Sequence, residues 1–133
     1  MNIQSAIIEG TNILKDKYIQ TAQLDTEILM AKALGKDRNY IVLNSNKDLQ
    51  NKNFRYFKKL IKQRSYRKPI AHIINKKFFW NSEFFVTKDT LVPRPDTELA
   101  IEQILNLTKH KNRMNILDIG VGSGCILLSI LKE

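Results

Sequence analysis

Cysteine is almost missing from this chain: Cys125 is the only one among 133 residues. One thiol cannot close an intramolecular disulfide, which fits a reducing cytosol and leaves burial and hydrogen bonds to hold the fold. No run of about eighteen apolar residues occurs, which argues against a membrane-spanning helix. The first ten residues have neither a basic start nor a long apolar stretch, so no secretory signal is visible and a cytoplasmic location is expected. The two histidines, His72 and His110, lack companions at metal-ligand spacing, so no metal site is expected. What is present is ordinary for a globular protein: 43% apolar and 26% charged residues, a balance that disordered chains lack. The length is a prior for one domain. Yet residues 126–133 read as a buried helix in mid-fold, so the 133 residues are expected to be a piece of something larger.

Acidic residues are also absent, locally. Between Leu49 and Ser82 there is no Asp or Glu, while the same stretch carries most of the net charge of +9. A basic stripe focuses a positive field and speeds encounter with anionic partners. The candidate partner-binding residues on it are Lys58, Lys59, Lys62, Arg64, Arg67 and Lys68. The plain alternative is a solvated helix face that meets nothing.

Hydrophobic spacing places helices over 2–18, 21–34, 38–43 and 51–66. Ile3, Ile7, Gly10 and Leu14 recur on one face of the first. Leu24, Ile28 and Ala31 share a face of the second, and Gly35 stands where a glycine ends a helix. Asp48 is a candidate cap for the fourth helix, whose Phe57, Leu60 and Ile61 point inward with Phe54. Three or four such helices in about seventy residues make a small bundle. The period then changes. Phe78-Phe79-Trp80 and Glu83-Phe84-Phe85-Val86, split by Asn81-Ser82, predict a β-hairpin. The aromatic residues are read chiefly as its packing. Pro93 and Pro95 hold the chain extended, and Pro95 followed by Asp96, Thr97 and Glu98 starts a helix to about Thr108. Residues 115–119 predict a short buried strand, 120–124 a glycine turn, and 125–132 a helix with Cys125 packed inward.

The glycine turn carries the sharpest chemistry. Strand, glycine-rich turn and helix start together expose backbone N–H groups to an anion. A dinucleotide fingerprint wants glycine at the sixth position, where Cys125 stands, and a phosphate loop wants a following Gly-Lys-Ser/Thr, which is absent. The pattern Asp118-x-Gly120-Val121-Gly122-Ser123-Gly124 is the form of S-adenosylmethionine-dependent methyltransferases. The bland reading is a tight turn that binds nothing.

A larger match follows. The order of bundle, aromatic hairpin, Leu91-Val92-Pro93-Arg94-Pro95-Asp96-Thr97-Glu98 and the glycine turn resembles the release-factor glutamine methyltransferases, the HemK/PrmC family. The run from Leu24 to Gly35 is similar to that family's second helix, and Asn75 stands where the family usually has glycine. The fold then expected is α+β as the chain stands. A helical bundle over 1–68 and a β-hairpin linker over 69–92 would precede the start of a Rossmann-like S-adenosylmethionine-dependent methyltransferase α/β domain over 93–133.

The resemblance implies methyl transfer from S-adenosylmethionine to the glutamine of the Gly-Gly-Gln motif in peptide-chain release factors. It implies that the helical domain helps hold the release factor. Asp118, Gly120, Val121, Gly122, Ser123 and Gly124 would bind the cofactor. Pro93, Arg94, Pro95, Asp96, Thr97 and Glu98 would lie near cofactor or substrate. The family's catalytic clamp is an Asn-Pro-Pro-Tyr motif, which this sequence lacks. No catalytic residue is therefore assigned, weak or absent cofactor binding is expected, and no methyl transfer is expected from these residues alone. The competing reading is a basic protein- or RNA-binding module without catalysis, whose nucleic-acid affinity would fall steeply with salt. The apolar residues in 126–131 are expected to be covered by another chain or by self-association.

Overall fold

A computed structural model describes residues 1–111 and 113–133. It divides the chain into two compact units, Met1–Ile74 and Asn75–Glu133. The expected bundle, hairpin and following helices are all present.

The first unit is helical: α1 (Ile3–Lys15), α2 (Ala22–Leu34), α3 (Arg38–Leu43), α4 (Asn51–Ser65) and α5 (Ile70–Ile74). Asn2 caps α1 through its side-chain oxygen on the Ser5 N–H at 2.8 Å, and Asp37 caps α3 on the Tyr40 N–H at 2.7 Å. Gly35 ends α2 at φ 62°, as a left-handed terminus demands. Asp48 does not cap α4: the capping position falls on Gln50, and Asp48 instead bridges to Asn2. Helix α5 was not legible in the periodicity, because five residues are too few to show one. Pro69 starts it, its carbonyl accepting from His72 and Ile73 N–H.

The core of this unit joins Ile3, Ala6, Ile7 and Leu14 of α1 to Leu29 and Met30 of α2 and to Phe57, Leu60 and Ile61 of α4. The face expected of α2 needs correction at Leu24 and Ile28, while Ala31 is buried as expected. Leu24 is exposed and Ile28 only partly covered, while Ala22, Asp25, Thr26 and Leu29 point inward. Two carboxylates lie on the inward side. Asp25 and Glu27 are both buried, each against an arginine. Helix α1 meets α4 at Gly10. A Cβ there would lie 2.9 Å from Phe57 Cζ and 3.0 Å from Thr26 Cγ2, so only glycine allows this approach.

The second unit holds β1 (Lys76–Phe79), β2 (Ser82–Phe85), α6 (Thr97–Thr108) and α7 (Cys125–Lys132). The strands are antiparallel with Phe79 opposite Ser82, so the turn is Trp80-Asn81, one residue earlier than expected. Phe79 and Phe84 face a core with Ile101, Cys125 and Ile130, and their rings meet edge to face at 6.3 Å. Phe78 and Phe85, on the opposite face, are exposed, so packing claims Phe79, Phe84 and the partly buried Trp80 but not these two. Asn75, at φ 60°, precedes the hairpin and donates from Nδ2 to the Val86 carbonyl at 3.2 Å.

The strand expected over 115–119 does not form. Residues 113–118 have no ladder partner among the described residues, and Leu117 and Ile119 are 84% and 87% exposed. A strand is defined by hydrogen bonds to a neighbour. The hairpin pairs with itself alone, and no other strand is described in this unit.

Candidate functional site

Two places are candidates for functional chemistry, one in each unit. In the second unit the glycine turn leads into α7. Gly120, Gly122 and Gly124 have φ of 83°, 55° and 75°. A Cβ at Gly120 would meet nothing within 4 Å, so that glycine is required by conformation alone. The Leu128 N–H is bonded back to the Gly124 carbonyl at 2.9 Å, so the helical ladder of α7 starts there. The Gly124 N–H is taken by the Val121 carbonyl at 2.8 Å, whereas a helix start leaves its first N–H groups without intrahelical partners, where an anion is favoured. Asp118 is half-buried, and its Oδ2 is buried without a hydrogen-bond partner among the described residues. A carboxylate oxygen in that state is an acceptor awaiting a donor. Val121 is exposed and Ser123 half-buried beside it.

The segment 93–98 is built differently. Pro93 is buried, Arg94, Pro95 and Asp96 are exposed, and Thr97 and Glu98 are half-buried. Glu98 Oε1 accepts the Trp80 backbone N–H at 2.8 Å. Trp80 has φ 51°, a conformation unusual and strained for a bulky side chain. Its indole Nε1 donates to Glu133 Oε1 at 2.8 Å, and Asn81 Nδ2 donates to the same oxygen at 3.2 Å. Lys132 Nζ completes the clasp on the Asn81 carbonyl and Ser82 Oγ. Trp80 thus ties the start of α6 to the end of α7. The glycine turn lies at the other end of α7, about 12 Å of helix away. The structure therefore gives Glu98 a turn-anchoring contact that sequence spacing did not reveal.

The clasp predicts a pH response. The Trp80 and Asn81 hydrogen bonds, with Lys132 nearby, hold the Glu133 carboxyl below the usual glutamate value. A lowered folded pKa adds stability that is present above the ordinary value and lost as pH falls through the folded one. Trp80 fluorescence should therefore titrate with a midpoint below that of a free glutamate, and Glu133→Gln should abolish the step. A midpoint at or above the ordinary value would mean the hydrogen bonds are not made.

In the first unit the basic stripe lies along α4. Lys58, Lys59, Lys62, Arg67 and Lys68 are exposed. Arg67, at φ 63°, donates from Nη2 to the Lys17 carbonyl at 3.0 Å, and Lys68 Nζ donates to Gln63 Oε1 at 3.1 Å. Arg64 turns inward: its Nε lies 2.6 Å from Asp25 Oδ2, with side chains 17% and 7% exposed. Lys58 reaches Glu9 at 3.7 Å. Between α1 and α4 runs a groove of about 400 Å³, floored by Gly10, Ile13, Phe57 and Ile61 and edged by Lys58, Lys59 and Lys62. Sequence reasoning missed this groove. Its signal was present in Gly10, a glycine in the middle of an apolar helical face.

These features define a class: a helical bundle followed by a hairpin-and-helix unit whose last helix starts at a glycine-rich turn. Residues 5–74, more than half of the chain, match the model of the PrmC N-terminal domain. The chain belongs to that family. Beyond the bundle, it is similar to proteins named release factor glutamine methyltransferase. It is 37% identical to that of Shewanella oneidensis over 136 residues, covering 98% of this chain and 46% of the relative. It is 37% identical to that of Leptospira interrogans, with 97% and 46% covered. It is 39% identical to that of Buchnera aphidicola subsp. Schizaphis graminum, with 89% and 42% covered. The chain spans about half the length of the curated relatives it matches. The reading as a basic binding module without catalysis finds no support in them.

Proposed function

We propose that this chain forms the partner-docking and cofactor-facing part of an S-adenosylmethionine-dependent methyltransferase acting on the Gly-Gly-Gln glutamine of a peptide-chain release factor. The observation that carries it is the similarity running through both units to release factor glutamine methyltransferases. The glycine turn fits the cofactor: beside three left-handed glycines, the first N–H groups of α7 and Asp118 Oδ2, without a partner among the described residues, offer the donors and acceptor that a zwitterionic, hydroxyl-bearing ligand needs. When bound, S-adenosylmethionine supplies an electrophilic methyl group. Asp118 would accept from its polar hydrogens, and the amides of 120–123 and of the first turn of α7 would face its anionic end, with Val121 and Ser123 flanking. An amide nitrogen is a poor nucleophile, so transfer depends on positioning the glutamine side chain. None of this chain's residues is assigned to that step.

The helical unit would contribute docking. A positive face raises the encounter rate with an acidic partner and weakens as salt screens it. Purified release factor should bind the chain saturably, and the double reversal Lys59→Glu/Lys62→Glu should weaken binding about tenfold. Random RNA in excess should not displace the factor. The 133-residue chain with release factor and S-adenosylmethionine should give no methylated glutamine, because it lacks the Asn-Pro-Pro-Tyr clamp and residues 113–117 are exposed with no ladder partner among the described residues. Absence of factor binding at low salt would overturn the docking role, and turnover would overturn the division of labour.

A further inference from the structure

The α1–α4 groove combines two features that a merely solvated basic face does not need. Its lining is apolar: Phe57 and Ile61 are buried beneath it, Ile13 is exposed along it, and Gly10, whose missing Cβ lets α1 pack against Phe57, Thr26 and Ile61, adds no side chain. Its α4 edge is cationic. Among the described residues Lys59 and Lys62 have no ion-pair partner, while Lys58 is engaged by Glu9 and lies 5.3 Å from the centre of the Phe54 ring. The carboxylate lining the α1 edge, Glu9, is thus already paired with Lys58 at 3.7 Å.

We propose that this groove binds a short protein segment that inserts one or two apolar side chains and carries Asp or Glu beside them, in the manner of a helix laid in a groove. The charge complementarity of Lys59 and Lys62 selects the acidic flank, and the floor selects protein over nucleic acid, whose phosphates gain nothing from Phe57 and Ile61. The volume of about 400 Å³ suits side chains rather than a whole folded surface. This inference rests on reading the α4 face as a protein-docking surface, and it names the chemistry that face takes.

The test uses the full chain and a synthetic amphipathic peptide with leucines along one helical face and glutamates elsewhere. A second peptide replaces every glutamate by lysine. Amide chemical shifts of the labelled chain report where each binds. The acidic peptide is expected to shift Gly10, Ile13, Lys59 and Lys62 together. Lys59→Glu/Lys62→Glu should weaken it about tenfold. Ile13→Ser should weaken it severalfold with the cationic edge intact, and the lysine peptide should not bind. Equal binding of both peptides would overturn the proposal, as would shifts confined to the lysines. So would an RNA oligonucleotide that shifts the same floor residues. Groove shifts that grow with protein concentration alone would assign the groove to a second copy of this chain and also overturn it. Release-factor binding that survives such a result would leave the broader docking role standing without the groove.

Discussion

Replacing Arg64 by methionine is expected to destabilise the helical unit by about 3 kcal/mol, although Arg64 lies in the stripe that reads from the sequence as solvent-facing. Its guanidinium lies 2.6 Å from Asp25 Oδ2, and Thr21 Oγ1 donates to the same carboxylate oxygen at 2.9 Å. Removing the cation strands a carboxylate only 7% exposed, and its remaining hydroxyl partner cannot replace a charge. The double change Asp25→Leu/Arg64→Met should cost less than Arg64→Met alone, because it leaves no buried charge behind. Arg38 offers the contrast. It pairs with Glu27 at 2.7 Å but is itself 55% exposed, so Arg38→Met should cost less than about 1 kcal/mol. Urea unfolding followed through amide signals of α2 and α4 measures all three. A cost below about 1 kcal/mol for Arg64→Met would show that the pair is not a structural contact.

Phe57→Ala should cost about 4 kcal/mol, near the upper end for one core residue. Phe57 is 1% exposed and touches the place where α1 and α4 approach most closely. The same contact makes Gly10 intolerant of a side chain. Gly10→Ala would gain helix propensity of about 1 kcal/mol. It would also force atoms at 2.9 to 3.1 Å to move on Phe57, Thr26 and Ile61. Overpacking of this kind costs about 1–3 kcal/mol, so the net change is destabilising. In the Phe57→Ala background the ring is gone, and the cost of Gly10→Ala should fall by about 1 kcal/mol or more. Strict additivity of the two changes would mean that ring and glycine do not meet.

Much of the helical unit was legible because its signals are local. Ile3, Ile7, Gly10 and Leu14 repeat at helical spacing, and all four are buried. Gly35 marked the end of α2 and adopts the left-handed conformation there. The start of α7 at Cys125 followed from the glycines before it. The failures share a different cause. In α2 the count of apolar residues pointed to Leu24 and Ile28, but burial follows the whole set of contacts. Asp25 and Glu27 are buried there too, paired with Arg64 39 positions away and Arg38 11 positions away. The hairpin turn slipped by one residue because Asn-Ser is the better turn chemistry locally. The observed turn instead places Trp80 where Glu98 and Glu133 can hold it. Residues 115–119 have the composition of a buried strand, yet a strand needs a partner, which local composition does not supply.

The amino-acid sequence by itself determined where the long helices lie, which face of α1 and α4 is apolar, and where the positive charge is concentrated. These depend on spacing, caps and backbone freedom within a few residues of each other. Only the tertiary structure decided which basic residues face solvent. It turned Arg64 onto Asp25 and kept Lys59 and Lys62 outside, because a buried carboxylate 39 positions earlier in the chain needed a cation. It also made a mid-helix glycine the floor of a groove, since the depth of that groove depends on how closely α1 approaches α4. Such distances arise from packing between elements, which no local pattern records.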